Sequence, residues 1–216
     1  MARLKVLWYS DTPTRHTGFG VVVKNVLRHL HKTGRYDFTV MGINQWDYYD
    51  QKEYPYVIYA AGLSDRRDPF GRERFKRFIL EEEFDILFTF NDYMILNYFC
   101  DAVEEARRQG RRFSWITHSP LDAEFVNEEL LRSFTLADFP VCYTDFQRAR
   151  VATVDPDLAE RSRVIYHGTD ISTFYPLPQE LRRQFRRDYF KVADDQFLIV
   201  NVNMNQWRKD LGRTLY

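Results

Sequence analysis

Apolar residues along this chain come in two rhythms that take turns. Short runs of four to seven, such as Leu4–Tyr9, Phe38–Ile43, Tyr56–Ala60 and Asp85–Phe90, are too short for helices and rich in β-branched and aromatic residues. Between them lie longer stretches with apolar residues three and four apart. Gly18–Leu30 carries Val22, Val23, Val26, Leu27 and Leu30 at that spacing, with Gly34 just beyond, where a helix end is expected. The alternation continues to His167. Asp68-Pro69 predicts a capped helix start running to about Glu83, and Tyr93–Gln109 predicts a helix ended by Gly110. Phe113–Thr117, Pro140–Tyr143 and Arg163–Tyr166 read as strands, Ala123–Leu136 and Asp145–Val154 as helices.

Strands alternating with helices at crossover spacing predict an α/β fold, a doubly wound, Rossmann-like parallel sheet with helices on both faces. Ligands of such sheets gather beyond the carboxyl ends of the strands, where the strand order reverses. Three predicted strand ends carry suitable residues: Thr17–Gly20, Thr117–Pro120 and Tyr166–Asp170. Past His167 the pattern starts again, with a basic helix over Pro178–Val192 and an apolar strand over Phe197–Asn203. A strand opening a new unit needs neighbours on both sides, and none follows before Tyr216. The expected division is therefore one whole domain, 1–170, and the first piece of a second, 171–216.

Composition narrows the picture further. Over 216 residues, 31 basic and 31 acidic side chains cancel, so no general attraction to nucleic acid is expected. Cys100 and Cys142 sit in apolar runs without metal-ligand spacing, which suits reduced, buried thiols in the cytoplasm. No apolar run approaches the roughly 20 residues needed to span a membrane, and the N-terminus shows no signal segment. The helix with Arg182, Arg183, Arg186 and Arg187 is read as packing an apolar face and hydrating its charges rather than resting on anionic lipid.

The candidate chemistry is concentrated at the strand ends. Gly18, Phe19 and Gly20 lie between the first strand and the first helix, where glycine lets backbone approach a ligand and a helix N-terminus offers N–H donors to an anion. Val23 stands where a dinucleotide fingerprint would have its third glycine, and a tight structural turn explains the glycines equally well. His118 falls just past a strand end, and His167 precedes Gly168 in another turn; no carboxylate or cysteine shares a metal-binding spacing with them. Arg208 and Lys209 follow the last apolar run and suit a diphosphate. Trp46, Tyr48 and Tyr49 form an aromatic loop suited to sugar rings or to simple packing.

With these residues in place, the chain resembles the retaining glycosyltransferases of family 4, which have the two-domain GT-B fold. Such enzymes begin with a strand, a proline-containing loop and a glycine pair opening a long helix, matched by Tyr9–Leu30 with Gly18 and Gly20. His118 matches the family's histidine at a mid-domain strand end. Their interdomain passage (asparagine, glycine, any residue, aspartate, then phenylalanine and proline) is matched by His167-Gly168-Thr169-Asp170 and Phe174-Tyr175-Pro176, with His for Asn. Lys209 takes the place of the family's diphosphate-binding lysine, Met204 stands where the accompanying arginine is expected, and Arg208 is the neighbouring cation.

The resemblance implies the N-terminal, acceptor-side half of a GT-B enzyme with a nucleotide-sugar as co-substrate and neither metal nor other cofactor. It implies that His118 orients the donor, that Gly18, Phe19, Gly20, Arg208 and Lys209 serve its phosphates, and that these 216 residues alone are inactive. The alternative is a non-catalytic α/β module that binds a phosphorylated or sugar ligand.

Overall fold

The computed structural model describes residues 2–45, 51–62, 68–124, 126–203 and 207–214. The chain divides into two compact units, Met1–His167 and Gly168–Tyr216.

The first unit is built on seven parallel strands: β1 (Leu4–Asp11), β2 (Tyr36–Ile43), β3 (Val57–Ala60), β4 (Ile86–Phe90), β5 (Ser114–Ser119), β6 (Phe139–Cys142) and β7 (Arg163–Val164). Their order in the sheet is β3-β2-β1-β4-β5-β6-β7. The chain thus winds outward one way from β1 and then returns to build from β4 the other way. The reversal lies between β1 and β4, whose carboxyl ends meet at Ser10 opposite Phe90. This is the Rossmann-like, doubly wound sheet expected from the alternating pattern.

Both faces of the sheet are covered, which explains why the strands read as unbroken apolar runs. Successive side chains of β1 point to opposite sides. Leu7 and Tyr9 pack with Met41, Phe75, Ile79, Leu87 and Trp115. Val6 and Trp8 pack with Val23, Leu27, Phe38 and Val40. Helix α1 (Gly18–Lys32) brings Val23 and Leu27 to the second face. Helices α2 (Arg72–Glu81), α3 (Tyr93–Asn97) and α4 (Cys100–Arg108) serve the first. A third cluster joins Tyr93, Phe134, Cys142, Val151 and Leu158 under helices α5 (Arg132–Leu136), α6 (Asp145–Ala152) and α7 (Pro156–Arg161).

Several helix boundaries differ from expectation, each for a visible reason. Helix α2 starts at Arg72, because Gly71 adopts φ 70 and a Cβ there would run into the carbonyl of Ala61. Asp68 still caps it, accepting from the amides of Arg72 and Glu73 at 3.0 and 3.2 Å. The Asp-Pro pair that opens a helix directly is Asp155-Pro156, where Asp155 accepts from the Leu158 amide at 2.8 Å. The span Tyr93–Gln109 is broken after Asn97. That side chain donates to the carbonyls of Glu129 and Leu130 and accepts from the Ser133 amide, ties that hold the turn between α3 and α4 against the α5 segment. Among the described residues of Ala123–Leu136 only Arg132–Leu136 is α-helical, and Asn127 caps the turn ahead of it by accepting from the Leu130 amide.

In the second unit, α8 (Gln179–Phe185) runs into a π-helical turn, Arg186–Phe190. A 3₁₀ turn, Trp207–Lys209, and the short α9 (Leu211–Thr214) follow. The expected strand at Phe197–Asn203 does not form among the described residues, with Phe197 90% and Val202 87% exposed. An isolated segment has no ladder to join, so its alternation alone forms no strand. Among the described residues, no helix is long and apolar enough to cross a membrane.

Candidate functional site

The carboxyl ends of β1, β4, β5, β6 and β7 converge on one group of side chains. At the end of β1, Asp11 is buried, accepting from the Thr17 hydroxyl at 2.5 Å and from the Asn91 amide group at 3.2 Å. Asn91 follows β4, so these bonds join both sides of the strand-order reversal. Thr17 is the N-cap of α1, and its hydroxyl oxygen accepts from the Gly20 amide at 3.0 Å. One hydroxyl thus fixes the first turn of the helix to the sheet.

The two glycines of this turn have different reasons to be there. A Cβ on Gly20 would stand 2.6 Å from the Arg15 carbonyl oxygen and 2.7 Å from that of Thr12, so only glycine fits. A Cβ on Gly18 would meet nothing within 4 Å, so this position borders open space. The tight-turn reading therefore holds for Gly20, while Gly18 leaves room for a ligand. The loop before them is firmly held: Thr12 and Thr14 both donate to the Gln45 side-chain oxygen, at 2.7 and 2.6 Å.

Phe19, between the glycines, connects the turn to His118. Its ring lies edge-on to Phe90 at 5.2 Å, and Phe90 lies 5.3 Å from the His118 imidazole. Phe90 and His118 are direct register partners in β4 and β5 and share one face of the sheet. Tyr143, just past β6, approaches His118 to 4.3 Å between ring centroids, and His167 approaches Tyr143 to 4.1 Å. The sequence singles out His118, Gly18, Phe19 and Gly20, and these do come together. It leaves Asp11, Phe90, Asn91 and Tyr143 unmarked, and marks His167 as part of a strand-end turn and of the interdomain passage, not as a neighbour of His118. The available signal was positional, since each of these stands at or just past a strand end.

Burial sets the electrostatics. His118 is 7% exposed; desolvation, assisted by the neighbouring His167, pushes its pKa down to about 3, against a smaller opposing effect of a hydrogen bond with the Ile165 backbone. The imidazole is thus neutral at physiological pH. Its Nε2 is buried with no protein partner, as are the Tyr143 hydroxyl and Ser10 Oγ. Buried polar atoms in folded proteins are nearly always paired, so such a group at the strand ends marks a place where a ligand or water binds. His167 is also shifted down by burial, and Tyr143 upward, by burial and by Asp92.

Among the described residues, no group of three His, Cys, Asp or Glu side chains is placed to hold a metal ion. A surface cleft of about 240 Å³ lies at the opposite, amino ends of β1 and β2, lined by Lys5, Asp37, Phe38 and Glu83, and includes none of these strand-end residues. Arg208 and Lys209 belong to the second unit, in its 3₁₀ turn, while His118 and the glycine turn belong to the first. Trp46, Tyr48, Tyr49 and Met204 lie outside the described residues.

The arginines of the basic helix are largely engaged within their own unit. Arg183 and Arg187 both approach the Asp194 carboxylate, at 3.8 and 3.5 Å, and Arg186 donates to the carbonyls of Ala193 and Gln196. This arrangement leaves less of the charge for an anionic surface than the sequence offers.

No protein-family model matches the chain, and no curated protein matches it in sequence. Solved structures do match in fold. A glycosyltransferase from Rickettsia africae ESF-5 aligns with a TM-score of 0.56 and 14% identity over 90% of this chain and 51% of its own. The apo form of the lipopolysaccharide outer core galactosyltransferase WaaB aligns with a TM-score of 0.54 and 15% identity over 82% of this chain and 49% of its own. The chain thus spans about half the length of these proteins. At such identities the likeness is one of architecture: the chain has the Rossmann-like α/β fold found in GT-B glycosyltransferases.

Proposed function

We propose that this chain is the acceptor-side part of a cytoplasmic glycosyltransferase that moves a sugar from a nucleotide donor to an acceptor with retention of configuration. Residues 1–170 would form the Rossmann-like domain, and 171–216 the linker, basic helix and first strand of the nucleotide-sugar domain. The observation that carries this reading is the line of rings from Phe19 through Phe90 to His118, which joins the glycine turn to a neutral imidazole with a buried, unpartnered Nε2, one strand from the strand-order reversal. Fold likeness to two glycosyltransferases supports it.

In this reading Gly18 and the free end of α1 face the donor phosphates, with Gly20 holding the turn in place. His118 orients the donor sugar by a hydrogen bond. Its depressed pKa makes it a poor proton carrier at neutral pH, and among the described residues no carboxylate acts on it that could serve as a relay partner. Lys209 and Arg208 neutralise the departing diphosphate, a role for preorganised cations that calls for no metal. Trp46, Tyr48 and Tyr49 are the proposed acceptor platform.

The test uses the complete polypeptide encoded by the reading frame, offered labelled nucleotide-sugars one by one. The expected result is donor turnover with retention, lost on His118→Ala, and no turnover by the 216 residues alone. A folded complete polypeptide that neither binds nor consumes any nucleotide-sugar would overturn the proposal, as would transfer by the 216-residue chain for its claimed inactivity.

A further inference from the structure

We infer that Tyr143 and His167 are positioning residues for His118: their rings, with Phe90, clamp the imidazole so that its Nε2 is held as a hydrogen-bond acceptor for a substrate hydroxyl. This assignment rests on the reading of His118 as a sugar-contacting residue, and it adds the two side chains that hold its orientation and keep it from water.

The geometry is that of a cage with three walls. Ring centroids of Phe90, Tyr143 and His167 lie 5.3, 4.3 and 5.5 Å from that of His118, and His167 stands edge-on to it at 88°. The walls also brace one another, with Phe90 and Tyr143 stacked at 5.8 Å and Tyr143 and His167 tilted at 4.1 Å. Ring pairs of this kind contribute about 0.5–1.5 kcal/mol each beyond their area, enough to hold a side chain in one rotamer. Tyr143 follows β6 directly and His167 ends the first unit, so both walls come from the last strands of the same sheet.

The fourth constraint is the backbone. The backbone of Ile165, two residues before His167, acts on His118 in the sense that favours a ring N–H directed at it. With Nε2 buried and unpartnered, a proton on Nδ1 is the arrangement that suits a nearby backbone carbonyl. The neutral ring then has a lone pair at Nε2, and the matching ligand group is a donor, as a sugar hydroxyl is. A cationic ring would lose that lone pair. The cage excludes water and therefore keeps the ring neutral. The titratable groups facing His118 are His167 and Tyr143, with Asp92 acting on Tyr143 from the start of α3.

The test needs no sugar and so stands apart from the transferase reading. Histidine ¹H–¹⁵N and ¹H–¹³C correlation spectra of the 216-residue chain are followed from pH 8 to pH 3, with His118→Gln and His167→Gln assigning the two signals. The expected result for the parent chain is an Nδ1–H tautomer at His118 and no titration above pH 5. Tyr143→Ala and His167→Ala should each open the cage and raise the His118 midpoint by one pH unit or more. Tyr143→Phe, which keeps the wall and removes only the hydroxyl, should leave the midpoint in place and controls for folding. A parent His118 that titrates near 6.5, an Nε2–H tautomer, or a midpoint unmoved by both alanine variants in folded protein would overturn the assignment. If the titrations come out as expected while no nucleotide-sugar is consumed, the cage stands and the transferase reading fails.

Discussion

Thr17 donates its hydroxyl to the buried carboxylate of Asp11 at 2.5 Å while accepting from the amide of Gly20, so one side chain ties the end of β1 to the start of α1. The site's glycine turn is therefore held by a carboxylate that stands two residues past the apolar run Leu4–Tyr9. Asp11 also accepts from Asn91, and through it the turn is coupled to β4.

Removing the hydroxyl by Thr17→Val deletes a helix cap and leaves Asp11 with one partner fewer. The expected cost is about 1–2 kcal/mol, with Asp11→Ala in the same range because it strands the Thr17 and Asn91 donors. Chemical denaturation of each variant measures this. Parent-like midpoints would show that the network has no part in holding the turn.

The two glycines should respond oppositely. Gly20→Ala places a Cβ against two backbone carbonyls that cannot move away, and about 1–3 kcal/mol of destabilisation is expected. Gly18→Ala meets open space and should be neutral or stabilising by up to about 1 kcal/mol, since it restricts the unfolded chain. Thermal unfolding of the pair checks the contrast. Equal losses would show that Gly18 is a packing glycine too.

His118 makes stability depend on pH in a defined direction. Its folded pKa, about 3, lies below the unfolded value of 6.5, so between these the unfolded state binds more protons. The contribution is fully present above about pH 6.5 and is lost progressively as pH falls towards 3. Its ceiling is about 5 kcal/mol, from 1.36 kcal/mol per pH unit. Urea midpoints measured from pH 7 to pH 4 should fall more steeply in the parent than in His118→Gln. Parallel curves would show that the imidazole is not held neutral.

Burial pushes the Cys100 thiol up to about 12 and that of Cys142 up to about 11, and both cysteines are free. Neither should react with a disulfide reagent at pH 8 in the folded chain, and both should react on unfolding, since the thiolate is the nucleophile. Rapid labelling of either in native protein would contradict the packing of α4 and β6.

The exposed run at the start of Phe197–Asn203 predicts early proteolysis. Chymotrypsin should cut at Phe197 before any site within β1–β6, because Phe197 is 90% exposed and its backbone is in no ladder. Mass spectrometry of a time course reads this directly, and resistance at Phe197 would show that the segment is covered in solution.

The sequence by itself determined the α/β class and which segments become strands and helices of the first unit. Each strand of the first unit left an apolar run, the helices between them left a 3.6-residue period, and both signals are local. It also marked His118 and the glycine turn, because function at a parallel sheet collects at strand ends and those positions can be counted along the chain. Helix starts were less legible: Asp68-Pro69 and Asp155-Pro156 look alike, and only the approach of Gly71 to Ala61 and the reach of Asn97 to Glu129 decided where helices begin and break. What the tertiary structure alone decided is the company His118 keeps. Phe90, Tyr143 and His167 lie 28, 25 and 49 residues away in the chain, and only the lateral register of parallel strands brings their rings within 6 Å of its imidazole. Asp11 was hidden for the same reason, since a carboxylate at the end of an apolar strand becomes part of a site only when Thr17 and Asn91 are folded against it. Pairing across a sheet depends on which strands become neighbours, and no local pattern carries that information.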